Sequence, residues 1–265
     1  MGKKQARSAV WLAALALLAV LLMLGGVTYA WFTFDPYTRV TPMEGKISEG
    51  STNLLISESA DGPFDKKCGL HPANLPQALT PVSTGNLTNF FAGAKQDRSG
   101  YTTAFRDITG EIGNNLVSGT VYLQCKGGSC TVFFDAPPLN LGTDSQWLAA
   151  GRLGLRITGS SGVKNYIFRL DALGAAGNVQ TRQTVTMENA VVGANGQLMA
   201  DPSVSIGDYL YREGGSAKAL CAMEPDEIAR VDYWVYLEGC DSACFNPVQS
   251  RDLVLQLGFI GRGEA

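Results

Sequence analysis

The chain has 265 residues, 45% of them hydrophobic and 17% charged, with a formal net charge of −3. That length is ample to bury a core. The mildly acidic balance argues against nucleic acid or anionic lipid as partners, because both demand basic patches.

Lys3, Lys4 and Arg7 precede a stretch from Ser8 to Phe34 that carries no charge. A positive start, an apolar run from Ala9 and a small-residue exit at Thr28-Tyr29-Ala30 are the parts of a secretory signal. Gly25-Gly26 loosens the helix just before a cut between Ala30 and Trp31, where the chain must be extended. The same run extended to Phe34 reaches the length of about 20 residues that crosses a bilayer. Trp31 and Phe32 are also aromatics of the interfacial kind. Two outcomes follow: a signal peptide over 1–30, or an N-terminal helix retained as a membrane anchor. Either way residues 31–265 form one extracellular domain, secreted or held at the cell surface, touching membrane only through the N-terminal segment. All 24 acidic residues follow Phe34 while three of the 21 basic ones precede it, leaving 18 against 24 and a net charge of −6.

Beyond the export segment, period-2 alternation and β-branched or aromatic residues dominate. Gly45-Lys-Ile and Asn53-Leu-Leu-Ile-Ser predict short strands. The glycines, prolines and asparagines of 58–100 mark a long connection. Val117 to Asp135 predicts a hairpin: two β-rich runs around Lys-Gly-Gly-Ser, flanked by Cys125 and Cys130. Ser145 to Ala150 predicts a helical turn or two. Gly151 to Thr158 alternates apolar with basic or small residues, as a half-buried strand should. Asn165 to Asp171 is another strand, and 171–200 another long connection. Arg230 to Glu238 and Arg251 to Ile260 end the chain with two more. Many strands with irregular joins indicate an all-β fold, a β-sandwich of jelly-roll type after the N-terminal signal or transmembrane helix.

Six cysteines in an exported chain point to disulfides. Facing positions beside a glycine turn bring Cα atoms within roughly 4.4 to 6.8 Å, which suits Cys125–Cys130. Cys240 and Cys244 bracket Asp-Ser-Ala after a strand-like run, and elimination joins Cys68 to Cys221. Loop entropy assigns about 2 kcal/mol to each short bridge and about 5 to the long one. The two close pairs could instead supply four thiolates to zinc. Nothing aligns them in space, and the oxidising destination favours bridges.

Two patches carry a resemblance to a known family. Gly25-Gly-Val-Thr-Tyr-Ala-Trp-Phe-Thr resembles the export signal of the TasA/CalY (camelysin) group of bacterial proteins. Tyr233-Trp-Val-Tyr-Leu-Glu-Gly, followed by Asp241, Cys244 and Asn246, is similar to a run of SipW-tagged surface proteins; its motif positions are Trp234, Leu237, Glu238, Gly239, Asp241 and Cys244. The resemblance implies processing by a SipW-type signal peptidase and a jelly-roll domain on the cell surface or in the biofilm matrix. It also implies fibres built by donor-strand exchange, with Trp31, Phe32, Thr33 and Phe34 opening the donor segment that runs to Val40. Pro36 removes one ladder donor there, which suits an edge strand. The alternative is that this segment pairs within its own sheet.

No chemistry assembles from the remaining residues. The one histidine, His71, stands in a Leu-His-Pro loop, and a metallopeptidase helix needs a pair in His-Glu-x-x-His. Gly159-Ser-Ser-Gly is one residue short of a nucleophile elbow. Glu58, Asp61 and Asp65 cluster in a loop, as do Glu224, Asp226 and Glu227; neither follows a calcium-loop order, so solvated acidic surface is the reading. Tyr233, Trp234 and Tyr236 read as packing rather than a sugar platform. Asn86-Leu-Thr is a formal glycosylation sequon, which means little if the source is bacterial. The expected function is a non-enzymatic structural surface protein: a matrix or fibre subunit that needs no cofactor and assembles with itself or related surface proteins. The alternative is an extracellular binding module for a carbohydrate or host ligand.

Overall fold

A computed structural model describes residues 44–47, 53–76, 78–96, 98, 102–134, 150–170, 204–207, 212–213, 216–217, 219–241, 243–244 and 256–263. All lie in one compact unit, Tyr37–Ala265. The strands in chain order are β1 (Glu44–Ile47), β2 (Leu54–Ser57), β3 (Lys67–Gly69), β4 (Pro81–Ser83), β5 (Phe91–Gln96) and β6 (Thr102–Asp107). They continue with β7 (Val117–Cys125), β8 (Cys130–Phe134), β9 (Gly151–Gly159), β10 (Gly162–Arg169), β11 (Val204–Gly207), β12 (Arg212–Glu213), β13 (Ser216–Ala217), β14 (Ala219–Met223), β15 (Ile228–Glu238) and β16 (Gln256–Gly263). The described protein is an all-β sandwich.

Its smaller sheet has the order β14-β8-β16-β1-β3, and its larger runs β11-β10-β9-β15-β4-β5-β6. The long strand β15 organises the larger sheet. One edge pairs with β9 from Arg230 to Leu237; the other pairs with β7 from Ile228 to Val235 and then with β4 at Leu237 and Glu238. Strand β7 carries β2 on its far side.

Alternation decides which residues face inward. Val231, Tyr233, Val235 and Leu237 of β15, with Leu153, Leu155 and Ile157 of β9, meet Val132, Leu257 and Phe259 of the smaller sheet in the main core. The opposite face of β15 changes character along its length. Ile228 and Arg230 are exposed, but Trp234 and Tyr236 lie in a second core with Val82, Leu87, Phe90, Ile108 and Leu116. That core exists because the chain between β4 and β7 folds back over the sheet. Glycines make room where aromatics cross. Gly119 faces Tyr233 across β7–β15, and a Cβ there would lie 2.4 Å from the tyrosine oxygen. Gly154 faces Trp234 across β9–β15 and is covered by Leu87.

Three expectations from sequence are corrected. Val117 to Asp135 holds two strands but no hairpin: β7 pairs in the larger sheet and β8 in the smaller, so the Lys126–Ser129 turn carries the chain across the sandwich. The segment 58–100 is no plain connection, since β3, β4 and β5 fall within it; their shortness and flanking prolines hid them. β9 is not half-buried, because both faces of its first five residues are covered and Arg152 is 0% exposed. Residues 145–149 and 171–200 lie outside the described residues.

Candidate functional site

The C-terminal motif closes β15 as a buried polar cluster. Glu238 is 0% exposed and Asp241 3%. Arg152, opposite Tyr236 on β9, donates from Nη2 to Asp241 Oδ2 at 2.7 Å and from Nη1 to the Gly151 carbonyl at 3.0 Å. Two backbone amides complete the turn: Cys240 N–H donates to Glu238 Oε1 at 3.1 Å and Ala243 N–H to Asp241 Oδ1 at 2.9 Å. Gly239 N–H donates to the Val82 carbonyl, tying the turn to β4. One guanidinium serves two carboxyls here, and it sits on Asp241. Burial therefore dominates at Glu238 and raises its pKa to about 8, against a lowering pull from Arg152. Glu238 holds its proton at neutral pH, and its Oε2 has no hydrogen-bond partner among the described residues. Burial likewise pushes the Tyr236 hydroxyl and the Cys240 and Cys244 thiols upward. Buried thiols with raised pKa values are inert as nucleophiles. Among the described residues the cluster pins the turn after β15.

At the other end of β15, three turns meet around Glu227. Its Oε1 accepts the Ser160 N–H at 2.6 Å and its Oε2 the Glu224 N–H at 2.8 Å. Cys125 N–H donates to the Glu227 carbonyl at 3.1 Å, and Gly127 N–H to Asp226 Oδ1 at 3.2 Å. Asp226 takes a left-handed φ of 62°, which its short polar side chain tolerates. The acidic residues Asp226 and Glu227 are thus occupied in holding turns. In the other acidic loop, Glu58 Oε2 lies 2.6 Å from His71 Nδ1 on the surface, and Asp65 Oδ1 accepts the Lys66 N–H. Among the described residues no group of three His, Cys, Asp or Glu side chains is placed to hold a metal ion.

The cysteines divide unevenly. Cys125 and Cys130 are buried beneath the turn that crosses the sandwich, and their thiols are hydrogen-bonded to each other. Cys125 Sγ donates onward to the Gly128 carbonyl at 2.8 Å. Cys240 and Cys244 share the buried turn after β15. These two pairs are separated by the length of that strand, about 35 Å at roughly 3.3 Å per residue, so they cannot form one four-thiolate zinc site. Cys68 and Cys221 are not brought together at all. They stand on β3 and β14, the two opposite edges of the smaller sheet. Four strand spacings of about 4.8 Å separate them, far beyond the roughly 7 Å limit for a bridge.

The remaining predicted residues fall as follows. Ala30 and the donor segment from Trp31 through Phe34 lie outside the described residues. Tyr233, Trp234 and Tyr236 are buried, with Arg156 5.5 Å over the Trp234 ring. Asn86 Oδ1 accepts the Thr88 and Asn89 amides, closing a turn. Sequence reasoning missed Arg152. The only signal for it was a basic residue inside an otherwise apolar strand start, and alternation made that look solvent-facing. No family model, characterised protein or solved structure matches the chain.

Proposed function

We propose that this protein is an exported structural component of the cell surface: a matrix or fibre subunit with a jelly-roll sandwich, built by strand donation from residues 31–40. The observation that carries the reading is the edge strand β14. Ala219-Leu-Cys-Ala-Met has no charged residue and no proline, two of the devices that keep a sheet edge single; a bulge between Ala219 and Cys221 and the Tyr166 hydroxyl on the Leu220 carbonyl leave Cys221 to Met223 as its regular run. An uncharged edge favours augmentation by a strand from another copy. An apolar, β-rich segment directly after an export signal is the matching donor. A SipW-type signal peptidase releases that segment, or its retention leaves the subunit anchored. Tyr233, Trp234 and Tyr236 are buried, so the alternative, an extracellular binding module, would use other residues. Negative-stain microscopy of the secreted protein tests the proposal: filaments are expected, and a chain lacking residues 31–40 should form none. A protein that stays monomeric at high concentration overturns it.

A further inference from the structure

The outer face of the larger sheet is covered along only part of its length. The chain between β4 and β7 reaches as far as Arg156, whose Nη2 donates to the Leu87 carbonyl at 3.0 Å and to the Thr88 hydroxyl at 2.9 Å. Beyond that line the face forms an open ledge. Strand register aligns Tyr122, Arg230, Thr158 and Val163 in one row across β7, β15, β9 and β10. The next outward positions are Gln124 and Ile228, with Leu55 of β2 beside them. Of the exposed large apolar side chains among the described residues, Val163 at 54% and Ile228 at 41% stand here, and only Leu75 stands elsewhere. On the covered side of the row, Asp232 Oδ1 accepts from Arg230 Nε at 2.9 Å and from the Thr120 hydroxyl at 2.7 Å.

We infer that this ledge binds a neutral polysaccharide, lying across the strands along the row that Tyr122 and Arg230 share. Size decides against a protein. Five strands about 4.8 Å apart, and outward positions from Ile228 to Asp232 at about 3.3 Å per residue, give a floor of roughly 19 by 13 Å. That is about 250 Å², well short of the roughly 800 Å² per partner of a standard protein interface. Charge decides against an anionic polymer. Both guanidiniums of the floor are engaged, Arg230 with Asp232 at 2.8 Å and Arg156 with Asn165, Thr88 and the Trp234 ring. The acidic pair Asp226-Glu227 directly precedes Ile228. The chemistry of the floor fits a sugar. A sugar hydroxyl both donates and accepts, and Arg230, Asp232, Thr158 and Gln124 offer both roles side by side. The C–H face of a sugar ring packs on apolar surface, which Tyr122, Val163 and Ile228 supply between those polar groups. Its bond to Asp232 also holds the Arg230 guanidinium in place, so little side-chain freedom is lost on binding.

The ledge lies on the larger sheet and β14 on the smaller, so this inference and strand donation stand or fall separately. Full-length chain is screened on an array of neutral and acidic polysaccharide fragments, and the fragments bound are titrated in solution by calorimetry. Binding of neutral fragments is expected. Arg230→Ala should weaken it about tenfold, the scale of a hydrogen bond to a charged group, and Tyr122→Ala to a similar extent. Leu75→Ala, an exposed apolar side chain outside the ledge, should leave it unchanged. Thr158 is exposed in the middle of the row, so Thr158→Arg should block the floor while its urea midpoint stays at the native value. The inference is overturned if no fragment binds, if acidic fragments bind as tightly as neutral ones, or if neutral binding survives Thr158→Arg. A dimer of the native chain that Thr158→Arg abolishes would assign the face to a second copy and overturn it as well.

Discussion

Strand β15 is bounded by two glutamates, Glu227 just before it and Glu238 as its last residue, and they behave in opposite ways. Partial burial works to raise the pKa of Glu227, but the Glu224 and Ser160 amides outweigh it and the carboxylate ends below the usual range. At Glu238 burial is complete and wins, despite Arg152, Ser83 and the Cys240 amide. Both side chains accept backbone hydrogen bonds. The difference is desolvation, which penalises a charge more than one or two amides can offset. One end of the strand is held by an anion at the surface, the other by a neutral acid beside a buried ion pair.

The strongest way to break the buried end is to remove its cation. Arg152→Ala leaves Asp241 buried without its partner, and a loss of about 3–5 kcal/mol is expected in urea denaturation. Replacing both partners with apolar residues of similar size should recover most of that, because the uncompensated charge disappears with the pair. Equal destabilisation by the single and the double change would show that packing, not charge, holds the turn.

The next effect is a pH dependence. Unfolded, Glu238 ionises near 4.5; folded, it keeps its proton to about 8. Between those values the folded state binds one proton more than the unfolded state. Its contribution to stability is therefore greatest below pH 4.5 and declines as pH rises toward 8, by on the order of 3–5 kcal/mol. Glu238→Gln, which cannot ionise, should flatten the curve between pH 5 and 8 relative to the native chain. Parallel curves would mean that Glu238 is ionised in the fold.

The same contrast separates what was legible in the sequence from what was not. The long strands β7, β9, β10 and β15 were readable from their apolar residues at strand spacing, with β-branched and aromatic residues recurring in β7, β10 and β15. The second core was not, because it depends on β4, only three residues long, pairing with β15 at just two positions. Without that joint, Trp234 and Tyr236 would face water and Arg152 would be one more basic residue on an outer face. Local spacing identified Cys125 and Cys130 as neighbours but mistook the reason. They face each other across the sandwich, and no pattern in the sequence says that β7 and β8 belong to different sheets. Elimination joined Cys68 to Cys221 because sequence spacing does not say that β3 and β14 stand at opposite edges of one sheet.

The smallest expected effect belongs to the exposed end. Glu227 receives two backbone N–H groups, and a Cβ on Gly159 would lie 2.5 Å from its Oε1, so that glycine is what lets the carboxylate approach. Glu227→Gln keeps one acceptor oxygen and turns an amide group toward the other donor. The loss should be about 1 kcal/mol, the scale of a single exposed hydrogen bond. Its pH signature has the opposite sign to that of Glu238. A carboxylate whose folded pKa is depressed contributes stability above its unfolded pKa, and that contribution fades as pH falls through the folded value. The native chain should lose stability on the acid side of pH 4.5 more steeply than Glu227→Gln, with the two curves parallel above pH 6. If Glu227→Gln instead altered the alkaline limb, the two ends of β15 would be coupled along the strand rather than set by their separate surroundings.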